Sequence, residues 1–186
     1  MTVIDPLRYS RHFSLLSAFA ALTCMLSRIS FPASLSVAFA FYGAVHAAAL
    51  ILSLRVPPAA RRSALFVAVA AALSALMFHL GILGTHLSAS LPGGVGSYVV
   101  LGFASVTGAV TYGVAIRLFG LYRLTGTALA VISLGCALAS CLALLTLTHF
   151  PFLGPWWLAV TWWYAFSGSL WLCHRREHAQ SSLAGR

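Results

Sequence analysis

Polar positions in this chain come in short bursts, and between them the sequence stays apolar for about 20 residues at a time, the length a helix needs to cross a hydrocarbon core. Arg8 and Arg11 stand before the first apolar run. Arg55, Arg61 and Arg62 separate the second from the third, Arg117 and Arg123 the fourth from the fifth, and Arg175, Arg176 and Arg186 follow the last. The remaining breaks carry Pro32, Pro92 with the PGGVGS stretch at 92–97, and Pro155, residues that end helices and make turns. This punctuation predicts six spans, at about 12–28, 33–54, 63–85, 95–116, 125–148 and 156–173. The expected fold is an all-α, polytopic integral membrane bundle of six transmembrane helices, forming one domain over residues 1–186.

Within the spans, small residues recur four apart: Gly43 and Ala47, Ala104 and Gly108, Ala109 and Gly113, Gly135 and Ala139. Such pairs let helix backbones approach closely in lipid, so they point to tight packing and not to chemistry. The odd spans open with arginine and run into alanine-rich sequence. The even spans share a glycine in similar company: FYGAVHAAAL at 41–50, VTGAVTYGVA at 106–115 and FSGSLWLCHR at 166–175. This self-similarity suggests three sequential helical hairpins.

Composition agrees with a membrane protein. Of 186 residues, 61% are hydrophobic and 7% charged, against roughly a quarter charged in soluble domains. The net charge of +9 comes from arginine alone. These arginines sit at span ends and not in one basic block, which argues against nucleic acid as a partner. All but Arg28 fall on one face of the predicted topology. The positive-inside rule then places both termini in the cytoplasm of a multi-pass protein of the cell inner membrane. The expected partners are the lipid bilayer and a membrane protein partner or a second copy of the chain. The first span has a basic start, and ALTC at 21–24 resembles a lipoprotein cleavage box, but Thr23 suits cleavage poorly; the segment reads as a retained span. Cys24, Cys136, Cys141 and Cys173 all fall within spans, which argues against a disulfide framework.

Two acids, Asp5 and Glu177, lie near opposite ends of the chain. No carboxylate pair is available for acid–base chemistry, and no ionisable relay of acids crosses the bilayer. An intramembrane serine protease would need a Gly-X-Ser-Gly turn; the nearest stretch, ASVTG at 104–108, has Thr107 at the serine position. The histidines remain. His12, His174 and His178 stand at the cytoplasmic rim. At a rise of about 1.5 Å per residue, His46 lies about 12 Å from the inner end of its span and His79 about 24 Å. That offset disfavours a shared haem iron. On the same scale Cys24, Met25, Met77 and Cys141 share a layer with His79, and His86 and His149 stand just above it. Thiol, thioether and imidazole together suit a soft metal ion such as Cu(I). The alternative for His79 is a hydrogen bond to a serine or carbonyl of the next helix. In span six, Trp157, Tyr164 and Trp171 recur every seven residues and could wall a flat ligand such as a quinone or vitamin. Phe150, Phe152, Trp156 and Trp157 fit an interfacial belt.

Three function classes follow. The first and favoured one is a non-catalytic membrane subunit or accessory protein. The second is binding or transport of a small neutral ligand or soft metal ion through an outward-facing site around His79. The third is a membrane oxidoreductase linked to a haem or quinone. The sequence identifies no cofactor.

Overall fold

The computed structural model describes residues 4–26, 33–88, 95–150 and 156–184. Six helices occupy them: α1 (Pro6–Leu26), α2 (Ala33–Leu52), α3 (Ala60–Ser88), α4 (Val95–Leu118), α5 (Gly126–His149) and α6 (Trp156–Ala184). Among the described residues, three helices hold stretches long and apolar enough to cross a membrane: Ala60–Gly81, Val95–Leu118 and Gly126–His149. Pro32, Pro92, Pro155, Phe152 and Arg28 lie outside the described residues.

Local sequence explains the helix ends. Asp5 caps α1: its Oδ1 accepts from the backbone N–H of Leu7 (3.1 Å) and Arg8 (3.2 Å). Pro6 follows as the first helical residue, where a missing N–H costs nothing. Thr125 caps α5 by accepting from Ala128 N (3.1 Å). Helix α4 stops at Gly120, whose φ of 60° suits glycine. There Leu121 N donates to Ile116 O (3.0 Å) and Gly120 N to Arg117 O (2.9 Å), the bond pair of a Schellman ending. The sixth helix runs about three turns past the predicted span end. Arg175–Ala184 holds neither glycine nor proline, so nothing in it breaks the helix.

Each helix packs on the next, and α6 closes the bundle against α1 and α2. Neighbours run antiparallel. Ile4 pairs with Leu54 and Asp5 N donates to Ser53 O (2.9 Å), so the start of α1 meets the end of α2. Gly81 faces Ala104 and Gly84 faces Val100 across α3 and α4. All described arginines therefore gather at one end of the bundle. The small residues do let backbones approach: a Cβ on Gly43 would stand 2.5 Å from the Ala70 carbonyl oxygen. The three glycines of the self-similar segments differ in setting. Gly43 abuts α3, Gly108 abuts Trp162 and Met77, and Gly168 has nothing within 4 Å of a Cβ position.

Candidate functional site

The core holds one polar node in the half of the bundle nearer the arginines. His46 of α2 is 0% exposed. Its Nε2 is hydrogen-bonded to the Tyr9 hydroxyl of α1, and its Nδ1 to the Tyr112 hydroxyl of α4 at 2.8 Å. Trp163 stacks on the ring at 4.6 Å, and Phe13 and Phe166 meet it edge-on at 5.4 and 5.3 Å. A neutral imidazole has one N–H and one bare nitrogen, so one tyrosine donates to it and the other accepts. Ser167, beside the Tyr9 hydroxyl, gives its proton to the Trp163 carbonyl (2.7 Å). In either tautomer the two hydroxyls engage both ring nitrogens, so neither is open to a metal. Nearer the arginine-rich end, buried His174 repeats the pairing with Tyr122 (3.1 Å).

Tyr112 and Trp163 also belong to the wall of a cavity of about 260 Å³. It lies among α3, α4, α5 and α6, with Phe39 of α2 at its edge. Its wall is mostly apolar, from Leu73, Met77, Phe78, Leu101, Leu144 and Trp162. The polar part is four serines, Ser74, Ser97, Ser105 and Ser140, with Tyr112. Ser105 Oγ donates to Ser140 Oγ across α4 and α5 at 2.6 Å. A concave, apolar, sparsely polar space is the usual form of a small-molecule site.

The residues of the expected outer layer take several directions. Met77 lines the cavity. His79 faces the exterior, with Nε2 3.2 Å from Ser36 Oγ of α2. His86 is exposed. His149, exposed as well, turns back on its own helix, with Nδ1 2.9 Å from Leu145 O and 3.1 Å from Thr148 Oγ1. Cys141 Sγ lies 3.9 Å from Tyr98 O. The side chains of Cys24 and Met25 lie outside the described set. Among the described residues, no three of His, Cys, Asp and Glu gather as metal ligands, and Cys136 and Cys141 are in no disulfide. Thr107 spends its hydroxyl proton on Phe103 O (2.9 Å). In α6 the cavity takes Leu158, Ala159, Trp162 and Trp163, not the heptad face of Trp157, Tyr164 and Trp171; Tyr164 is 46% exposed.

The polar node escapes sequence reasoning because its members are 37 and 66 residues from His46. One signal was present. A histidine and a tyrosine within apolar runs each need a polar partner, and Tyr112 lies near the arginine end of its helix, as His46 does. No family model matches this chain, and no curated protein or solved structure matches it either.

Proposed function

We propose that this chain is a six-span, multi-pass protein of the cell inner membrane, with both termini cytoplasmic, that binds a small neutral ligand inside its bundle and performs no reaction of its own. The observation that carries this reading is the cavity of about 260 Å³ walled by Trp162, Phe78 and Met77. Support also comes from what surrounds it. Acids stand only at Asp5 and Glu177, and His46 is committed to two tyrosines, so the cavity wall offers hydrogen bonds but no strong acid or base. The reading relocates the small-ligand site expected near His79 into the bundle, where Met77 faces it. Six spans and cytoplasmic termini rest on the arginine pattern and on the six-helix bundle.

A second reading, an accessory subunit that works through a membrane partner, draws on His79 and Ser36. They form a polar pair between α2 and α3 at the exterior of the bundle, and such groups mark contact sites in membranes.

Native mass spectrometry of the detergent-purified protein tests both. A ligand adds a fixed mass that disappears in Ala104→Phe, which puts a ring into the cavity that Ala104 lines. A co-purified protein supports the accessory reading. A metal-sized increment lost in His79→Ala would move the site to the outer layer. A bare chain, unchanged by Ala104→Phe, contradicts the cavity reading.

A further inference from the structure

Hydroxyl protons inside helices of this protein usually return to the carbonyl one turn back. Thr111 gives its proton to Thr107 O (2.7 Å), Thr146 to Leu142 O (2.8 Å), Thr161 to Trp157 O (2.8 Å) and Ser167 to Trp163 O (2.7 Å). Ser105 and Ser140 break this habit. Both are buried, both line the cavity, and their one hydrogen bond is to each other, at 2.6 Å. Two hydroxyls carry two protons, and a single bond between them uses one. Whichever serine donates, the other keeps a proton with no acceptor among the described residues. Ser17 and Ser133 are also buried without a partner, but neither lines the cavity. A buried donor left unmade is costly, and here the free space beside it is the cavity itself.

We infer that the cavity selects a small, largely apolar molecule bearing a carbonyl-type oxygen, which accepts the hydroxyl proton left over from the Ser105–Ser140 pair. The aromatic and thioether wall takes the flat apolar body, and the serine pair fixes the oxygen. The chemical class is that of quinones, cyclic ketones and similar neutral carbonyl compounds. This inference rests on the cavity being a ligand site. It adds a rule for the pair: either serine alone still has a proton to give, and only loss of both removes the buried donor, leaving the half-buried Ser74 and Ser97 of the wall.

The test compares two probes of similar flat shape, tetramethyl-1,4-benzoquinone and 1,2,4,5-tetramethylbenzene, in which two ring C–H groups stand in place of the quinone's carbonyls. Binding is measured by calorimetry on the full chain in lipid nanodiscs, with empty nanodiscs subtracted. The wild type is expected to prefer the quinone by about three- to tenfold, the span of one net hydrogen bond. Ser105→Ala and Ser140→Ala should each keep most of that preference, and the double variant should lose most of it while still binding the hydrocarbon. Equal binding of the two probes by the wild type, or an undiminished preference in the double variant, overturns the inference and leaves the cavity reading standing. Failure of the wild type to bind either probe overturns both. A thermal melt of the double variant matching the wild type establishes that any loss is local.

Discussion

Two polar regions of this bundle lie side by side and obey opposite rules. Around His46, both ring nitrogens have a hydroxyl partner, and aromatic rings fill the rest of the space. Around Ser105 and Ser140, the wall encloses about 260 Å³ of free volume and a hydroxyl proton remains to be placed. They share Tyr112 and Trp163, which contact the imidazole and line the cavity. Histidine is the residue whose chemistry attracts attention, yet here it is the saturated one. In an apolar core, satisfied hydrogen bonds mark scaffold, and a polar group left short beside free space marks a place for ligand.

The sharpest way to break the comparison is at the node. His46→Ala strands the Tyr9 and Tyr112 hydroxyls and opens a void among five aromatic rings. It should cost about 3–5 kcal/mol, read as a large fall in the detergent melting temperature or as loss of folded protein on size exclusion. If the melt hardly moves, the node is not scaffold. Next in size is Gly43→Ala, which places a Cβ 2.5 Å from the Ala70 carbonyl and should cost about 1–3 kcal/mol by pushing α2 from α3; a melt equal to the wild type would contradict that close approach. Tyr9→Phe removes one hydroxyl and leaves the ring. A loss of about 1 kcal/mol is expected, in the range of interhelical hydrogen bonds in membranes, with ligand affinity unchanged. The smallest stability effect belongs to Ser105→Ala with Ser140→Ala, nearly neutral because both partners of the hydrogen bond are removed together. A double variant as damaged as His46→Ala would mean that the serine pair is scaffold too.

Depth along each helix was legible in the sequence; direction around it was not. The arginines and prolines mark helix ends, so the order and lengths of the six helices follow from punctuation. The exceptions are α6, whose polar tail extends well past its expected end, and α1, which starts at Pro6, well before its expected start at 12. Direction needs a difference between faces, and these helices are apolar nearly all round, so no face is distinguished. Met77 and His79 stand two residues apart at one depth, yet Met77 lines the cavity and His79 faces outward to Ser36. The heptad of Trp157, Tyr164 and Trp171 picked a face of α6, but Trp163 and Phe166, next to it in sequence, are the rings packed inside. The Tyr9–His46–Tyr112 node joins three helices, and their meeting depends on a helix order in space that one sequence does not encode. For His79 the expected hydrogen bond to a serine of a neighbouring helix is present, but the ring is exposed and not buried.

The most direct measurement is the rise in melting temperature produced by tetramethyl-1,4-benzoquinone in the wild type, Tyr9→Phe and Ala104→Phe, each in the same detergent. A ligand that binds only the folded state raises stability in proportion to the logarithm of its concentration over Kd. With a closed node and a ligand cavity, wild type and Tyr9→Phe should rise by the same increment and Ala104→Phe should not rise. An equal rise in Ala104→Phe would place the ligand elsewhere, and a lost rise in Tyr9→Phe would make the node part of the site.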